Sequence, residues 1–292
     1  MSGRPASGRP PWLTVRAPSG GTSERVDETL RRLGLRTVCR EARCPNVGEC
    51  WNGGTATVLV LGGVCTRGCA FCSVARGTPG PPDPSEPFRV AEAAAALGWR
   101  HVVVTSVTRD DLPDGGASHF AAVARKLRAI APPPAVELLV PDFRGSDAAL
   151  SLVVRQRPDI LAHNLETVPR LYPVVRPGAE YGRSLALFRS ARGMDPDLPL
   201  KSGILLGFGE TREEVAGFLA DLFDAGCRSV TLGQYLPPSR GHLPAARYLE
   251  PGEFEELGET ARRIGFSAVA SAPLVRSSYR AAGEVRIAAA DR

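Results

Sequence analysis

Short apolar runs alternate with longer amphipathic segments along most of this chain, which indicates β-strands separated by helices. The runs are almost continuously apolar, as in strands buried on both faces, so we expect parallel pairing under a cover of helices, an α/β class. Six or seven such units without a GxGxxG turn favour a partial (β/α)6-type barrel over a doubly wound dinucleotide fold. The runs lie at 55–61, 101–107, 135–140, 159–162, 199–207, 228–232 and 266–270.

Two helices and one loop are marked by their end signals. ASHFAAVARKLRAI predicts a helix over 117–130. Thr211 and Glu214 form a capping box before another helix, and Gly226 suits the residue after its last turn. The proline-rich segment 77–87 predicts a loop without regular structure.

These patterns divide the chain into three parts. Residues 1–54 form an N-terminal extension, 55–270 the partial barrel, and 271–292 a C-terminal tail. Parallel strands end at a common rim, and the predicted rim segments are polar or glycine-rich. We therefore expect one shared active site there, built from the loops that follow the strands.

Composition narrows the class of protein. Of the 292 residues, 43% are hydrophobic, enough for a full core, and no apolar run approaches the roughly 20 residues of a membrane span. The N-terminus has no apolar stretch of the kind found in secretory signals, so we expect a soluble, cytoplasmic protein. The net charge is +5, but the basic residues are scattered arginines apart from Lys126 and Lys201. This pattern predicts no nucleic-acid partner.

Six of the seven cysteines fall within 34 positions and form two triplets. Structural zinc usually takes two close pairs, and disulfide frameworks belong to small secreted scaffolds. Triplets instead suit iron–sulfur clusters that keep one iron open, although zinc and disulfides remain alternatives. Cys227 stands apart, and we expect a buried apolar side chain. The triplets are Cys39, Cys44 and Cys50, then Cys65, Cys69 and Cys72.

The second triplet, CTRGCAFC, with Phe71 before its last cysteine, resembles the signature of radical S-adenosylmethionine enzymes. This resemblance implies that Cys65, Cys69 and Cys72 hold a 4Fe–4S cluster. The open iron of that cluster binds S-adenosylmethionine and cleaves it to a 5′-deoxyadenosyl radical. The cysteines would then be catalytic as well as metal ligands.

The first triplet, TVCREARCPNVGECW, resembles the N-terminal auxiliary-cluster motif of the lipoyl synthase family. The similarity continues through TSVTRDDLPDGGASHF, LVPDFRG, HNLETVPRLYPVVRPGAEY, KSGILLGFGET, TLGQYLPPSRGHLP and VRSSY, from about Trp12 to Tyr279. Two small departures, Arg40 in CREARC and Ala272 before Pro273, affect no proposed ligand.

The resemblance implies that Cys39, Cys44 and Cys50 hold a second 4Fe–4S cluster, ligated also by a serine of the RSSY motif. We expect Ser278 rather than Ser277. That cluster would give up two sulfides, which enter C6 and C8 of an octanoyl chain amide-linked to a lysine of a lipoyl carrier domain. Two molecules of S-adenosylmethionine would be consumed for each lipoyl group.

Several polar residues are candidates for cofactor contacts. Asn164 and Glu166, which with His163 follow the fourth predicted strand, suit the ribose or methionyl end of S-adenosylmethionine, and local turn hydrogen bonding is the alternative. Lys201 lies inside an apolar run, so it either snorkels to the surface or meets an anion. Arg276 either organises the tail or contacts substrate.

The acidic loop RDDLPDGG, with Asp110, Asp111 and Asp114, lacks the ending of an EF-hand, which favours a structural or lid role over a cation site. We expect two partners, the octanoylated carrier domain as substrate and reduced ferredoxin or flavodoxin as electron donor. We expect the protein itself to be a monomer. The alternatives are another two-cluster enzyme, such as a methylthiotransferase, or a non-catalytic metal-binding module.

Overall fold

The computed structural model describes residues 9–14, 21–42 and 44–279. The strands are β1 Arg36–Thr37, β2 Thr55–Val60, β3 Val64–Cys65, β4 Ala75–Arg76, β5 His101–Ser106, β6 Ala135–Leu139, β7 Ile160–Ala162, β8 Leu200–Leu206, β9 Ser229–Gln234 and β10 Ala268–Ser271. The α-helices are α1 Gly21–Arg32, α2 Val38–Glu41, α3 Val47–Asn52, α4 Glu86–Leu97, α5 Ala117–Arg128, α6 Asp147–Val154, α7 Tyr172–Val175, α8 Tyr181–Met194, α9 Arg212–Asp224 and α10 Pro251–Ile264.

Eight strands form one sheet in the order β1-β2-β5-β6-β7-β8-β9-β10. From β2 to β10 every neighbouring pair is parallel, and only the short β1 is antiparallel to its neighbour. The order follows the chain, as expected for a barrel-type winding. Within the described residues, the end strands β1 and β10 do not pair with each other, so the barrel is open. The predicted α/β partial barrel is confirmed.

All seven predicted strands correspond to observed strands, with ends displaced by up to two residues. The capping box of Thr211 and Glu214 is present, and Gly226 adopts φ +94° after α9. The loop prediction over 77–87 is wrong for its last two residues, because α4 starts at Glu86 and a proline fits the first turn of a helix. The two-residue strands β1, β3 and β4 are too short to show a hydrophobic period.

The core lies between the parallel strands and their helices. Every residue of β2 is buried, as its continuous apolar pattern predicts. On α5 one face supplies Phe120, Val123 and Leu127, all fully buried. Cys227 is also fully buried, which confirms its predicted apolar environment. None of the described helices combines the length and apolar character that a membrane crossing needs.

The N-terminal segment and the C-terminal tail meet beside the first barrel strand. β1 extends the sheet next to β2, and α1 contacts α3 and α4. The Asn46 side chain donates a 2.8 Å hydrogen bond to the carbonyl oxygen of Leu274. The Tyr279 hydroxyl donates to the Glu49 carboxylate at 3.1 Å. The division at residues 54 and 270 stays a prediction, since β1 shares one sheet with the barrel.

Candidate functional site

The second cysteine triplet lies at the rim where the parallel strands end. Cys65 is the last residue of β3, just beyond β2, and Cys69 and Cys72 follow in the loop that leads to β4. The Ala70 amide donates to the Val175 carbonyl at 2.9 Å, and His242 contacts the Cys72 carbonyl at 3.1 Å. Loops that follow β7 and β9 thus hold this loop, which we call the cysteine loop (Cys65–Cys72).

The three thiols of the cysteine loop are free and partly exposed. The Cys65 sulfur accepts hydrogen bonds from the Thr108 and Arg67 amides at 3.3 and 3.4 Å. Burial raises the pKa of Cys69, and burial with repulsion from the neighbouring thiolates raises that of Cys72 to about 11. Without a positive centre these two thiols keep their protons, whereas a bound metal would favour the thiolates.

The first triplet lines a pocket that opens to solvent. Cys39 lies on α2, Cys44 follows it, and Cys50 lies on α3. Burial raises the pKa of Cys39 and of Cys44. The pocket is lined by Cys39, Cys44, Asn46, Val47, Cys50, Thr55, Thr57, Arg276, Ser278 and Tyr279.

The tail serine that lines this pocket is Ser278, whereas Ser277 is absent from the described lining residues. A turn over 277–279 carries the serine, with the Tyr279 amide donating to the Arg276 carbonyl at 2.9 Å. The tail is therefore folded against the first triplet, and Ser278 lines the same pocket as its three cysteines.

Two arginines influence both Glu166 and one cysteine of each triplet. Burial raises the pKa of Glu166, and the positive charges of Arg176 and Arg276 oppose that rise. Arg276 partly offsets the burial that raises the pKa of Cys44, and Arg176 does the same for Cys69. Arg276 also lines the pocket of the first triplet, so Glu166 responds to charges associated with both triplets.

Asn164 and Glu166 are brought together after β7. The Asn164 amide donates a 3.0 Å hydrogen bond to the Glu166 carboxylate, and Glu166 adopts φ +67°. Local hydrogen bonding is therefore real, yet within the described part of the chain Asn164 Oδ1 is buried without a hydrogen-bond partner. A Cβ at Gly203 would come within 3.2 Å of that oxygen and within 2.6 Å of Thr231 Oγ1. An unused acceptor beside a position without a side chain suits a bound ligand.

His163 is part of the barrel interior. Its ring contacts the Val140 carbonyl at 2.8 Å and the Ser184 hydroxyl at 3.0 Å. Burial, assisted by the charge of Arg176, lowers the pKa of His163 to about 4, so the ring is neutral at pH 7. Both ring nitrogens serve the fold.

Lys201 is completely buried, and the anion it meets is a protein carboxylate. Its ammonium group lies 3.4 Å from Glu137, which is also 3.5 Å from the ring of His101. Burial raises the pKa of Glu137, but the charges of Lys201 and His101 outweigh it and lower the pKa overall. The prediction that Lys201 contacts a cofactor gains no support from this geometry.

The acidic loop has a structural role, as its sequence favours. Asp110 pairs with Arg67 at 2.7 Å, and Asp111 with Arg109 at 2.8 Å. Asp114 accepts the Gly116 and Ser118 amides at the start of α5. Each carboxylate is thus used in binding its own chain.

Two arginines near the cysteine loop were not predicted from the sequence. Arg176 lies in VVRPG directly after α7, and Arg67 lies inside the cysteine loop, between Cys65 and Cys69. A signal existed for both, since each is a cation in a segment that follows a barrel strand.

The donor sets fit iron–sulfur clusters. All seven cysteines are described and none forms a disulfide. Among the described residues, no three His, Cys, Asp or Glu side chains converge closely enough to hold a single metal ion. A four-iron cluster needs no such convergence, because each thiolate binds a different iron and soft thiolates suit these metals.

Comparison with known proteins identifies the family. Residues 59–222 match the model of the radical SAM superfamily, and residues 4–44 match that of the N-terminal domain of lipoyl synthase. A lipoyl synthase of Methylococcus capsulatus is 56% identical, with 94% of this chain and 85% of the relative covered. One of Caldicellulosiruptor saccharolyticus is 51% identical, with 96% and 98% covered.

Solved structures support the fold. Methylornithine synthase superimposes with a TM-score of 0.55 at 17% identity, covering 84% of this chain and 76% of that one. The maturase HydG gives 0.56 at 13% identity, covering 85% and 62%. From the match of sequence over nearly its whole length, this chain belongs to the lipoyl synthase family of sulfur-inserting radical S-adenosylmethionine enzymes.

Proposed function

We propose that this chain inserts two sulfur atoms, at C6 and C8, into an octanoyl chain amide-linked to a lysine of a lipoyl carrier domain. The product is the dihydrolipoyl group. The observation that carries the proposal is the pocket shared by the first cysteine triplet and Ser278. The second triplet is nearby, because Ser73, next to Cys72, donates a 2.7 Å hydrogen bond to the Glu41 carbonyl of α2. Membership of the family implies S-adenosylmethionine and one 4Fe–4S cluster, and this pocket supports a second.

Cys65, Cys69 and Cys72 would hold the first cluster, which with S-adenosylmethionine supplies a 5′-deoxyadenosyl radical able to abstract hydrogen from an unactivated C–H bond. The chain's own contribution is position and charge. Asn164 presents a buried acceptor beside Gly203, and Glu166 offers a carboxylate within the field of Arg176 and Arg276. These groups suit the amino and hydroxyl groups of the cofactor.

Cys39, Cys44, Cys50 and Ser278 would hold the auxiliary cluster. A serine oxygen is a harder ligand than a thiolate and binds iron in such clusters less well. Ser278 belongs to the tail, and that tail is joined to the triplet's helices through Asn46 and Tyr279. We therefore infer that the fourth ligand is weak by chemistry, so that its iron can leave and an adjacent sulfide becomes free for transfer.

The partners follow from this chemistry. The substrate is an octanoylated carrier domain, whose long lysine arm can reach a site that loops surround. The reduced electron donor is a ferredoxin or flavodoxin, and the enzyme acts as a cytoplasmic monomer.

The test is an anaerobic reaction of reconstituted protein with a reductant, S-adenosylmethionine and an octanoyl-lysyl peptide. Two clusters predict about eight irons per chain, since each cubane contains four. Mass spectrometry should show two added sulfurs per peptide, first one and then the second. About four irons, or 5′-deoxyadenosine without sulfur in the peptide, would contradict the proposal. A peptide with unmodified lysine is the control.

A further inference from the structure

We propose that Arg67 is a positioning residue that fixes the cysteine loop through two carboxylates and thereby sets the reduction potential of the cluster held there. The proposal rests on the proposed role of Cys65 as a cluster ligand. It concerns a side chain that lies between two ligands and binds none of the reacting groups described above.

Arg67 is clamped by ion pairs from two different barrel loops. Its Nε and Nη2 donate to Asp110 at 2.7 and 2.8 Å, in the loop after β5. Its Nη1 and Nη2 donate to Asp142 at 3.0 and 2.7 Å, in the loop after β6. The guanidinium therefore makes a fork with each carboxylate, and such paired hydrogen bonds fix direction as well as distance.

The group formed by Arg67, Asp110 and Asp142, which we call the clamp, is buried and charged. The Arg67 side chain is 7% exposed and that of Asp142 is fully buried. Burial alone would raise the pKa of Asp142, but Arg67 and Arg183 bring it well below its usual range, so the carboxylate is ionised. Arg183, on α8, donates to Asp142 at 2.8 Å and, within the described part of the chain, makes no hydrogen bond or ion pair with the cysteine loop. Removing one partner of a buried pair leaves an uncompensated charge.

The clamp controls hydrogen bonds to a ligand sulfur. The Arg67 amide itself donates to the Cys65 sulfur, and the second donor, Thr108, stands two positions before Asp110. Thr66 strengthens the same connection, because its hydroxyl donates to the Thr108 carbonyl at 3.0 Å and accepts the Asp110 amide at 3.1 Å. The side chain of Arg67 thus holds both donors at their distance from one sulfur.

Hydrogen bonds to cluster sulfurs are among the factors that set the potential. A donated hydrogen bond places positive charge near sulfur and stabilises the reduced, more negative cluster. If the clamp loosens and the N–H···S contacts lengthen, the potential becomes more negative and the cluster is harder to reduce.

The test is Arg67→Lys in the full-length, reconstituted protein, with Arg183→Lys as the matched control. Both changes keep the charge, but lysine cannot make two forks. The midpoint potential is measured by redox titration with electron paramagnetic resonance, on the signal that changes when S-adenosylmethionine is added. We expect a shift to more negative potential in Arg67→Lys and a markedly smaller one in Arg183→Lys. Formation of 5′-deoxyadenosine should fall several-fold with a mild reductant and recover with a stronger one.

A second variant separates the clamp from simple charge. Asp142→Asn removes a negative charge, so a purely electrostatic effect would move the potential upward, whereas the clamp predicts a shift downward as in Arg67→Lys. Loss of about four irons from the cysteine-loop site alone, with the auxiliary cluster intact, also supports the clamp. Unchanged potentials with both clusters loaded, or loss of both clusters together, would overturn it. If the unaltered protein forms no S-adenosylmethionine-sensitive signal, the proposed function itself fails.

Discussion

The two cysteine triplets differ in what holds them in place. The cysteine loop is held by other barrel loops. Arg67 pairs with Asp110 and Asp142, and the backbone contacts Val175 and Leu243. The first triplet lies on and between two helices of four and six residues, α2 and α3. Helices this short have little stability of their own, and the tail completes their pocket from far along the chain.

This difference matches the two tasks proposed for the triplets. A site that repeatedly receives electrons benefits from rigid support, because its geometry and potential must not change between turnovers. A site that gives up its own atoms needs a ligand that can leave. The site proposed to receive electrons is held by loops of the barrel. The site proposed to donate sulfur lies where the N-terminal segment meets the C-terminal tail.

The sharpest way to break the comparison is to remove one thiol from each triplet. Cys65→Ala should abolish formation of 5′-deoxyadenosine and of thiolated peptide, each by about a thousandfold or more, because an unactivated C–H bond has no polar route. Cys39→Ala should keep the formation of 5′-deoxyadenosine while losing sulfur insertion to the same extent. Both products are measured by liquid chromatography with mass spectrometry. Normal thiolation by Cys39→Ala would remove the division of labour.

A change in the tail tests whether the first pocket depends on its fourth ligand. Ser278→Ala should reduce sulfur insertion by about 10- to 100-fold, a range typical when a group that organises a metal site is lost. Formation of 5′-deoxyadenosine should be nearly unchanged, since the cysteine loop does not depend on this serine. Ser277→Ala is the matched control and should behave as the unaltered protein. Equal losses in both variants would show that the tail matters without a specific hydroxyl.

Acid should lower the free energy of unfolding through His163, which lies in the barrel interior. In the folded protein the pKa of His163 is lowered to about 4, against 6.5 when unfolded. The unfolded chain therefore takes up a proton that the folded chain does not bind. As a result, the free energy of unfolding decreases as the pH falls from about 6.5 to about 4. The slope is about 1.4 kcal/mol per pH unit, about 3 kcal/mol in all.

Denaturant titrations at pH 7 and pH 5 give the free energies of unfolding needed to check this. His163→Gln removes the titrating ring and should flatten the dependence over that window, although it lowers stability at pH 7 through lost hydrogen bonds. A pH dependence as steep in the variant as in the unaltered protein would assign the effect to other groups.

The smallest effect is expected where the N-terminal segment meets the C-terminal tail. Asn46→Ala removes the bond to the Leu274 carbonyl and should lower the free energy of unfolding by about 1–2 kcal/mol. Hydrogen exchange should accelerate at the Val275 and Tyr279 amides and stay unchanged in β5. The exposed Asn52 on the same helix supplies the control, Asn52→Ala. Unchanged exchange in the tail would show that Asn46 does not hold it.

The amino-acid sequence was sufficient for the architecture and for predicting candidate cluster ligands. Continuous apolar runs fix parallel strands, and their number and order predicted an open barrel, because burial of both strand faces leaves few other solutions. The cysteine spacings identified both triplets, since ligand spacing within a loop is local and covalent. The helix beginning at Glu86 was misjudged by two residues because prolines are shared by loops and first helical turns.

Tertiary structure decided which distant groups meet. The lysine at 201 met a protein carboxylate, and the arginine at 67 joined loops that follow two other strands. Ser278, and not Ser277, came to line the first pocket. Each outcome depends on strand register, loop path and the direction of one side chain. A linear pattern carries none of these, because the energy of a charge or a ligand bond depends on distances that exist only after folding.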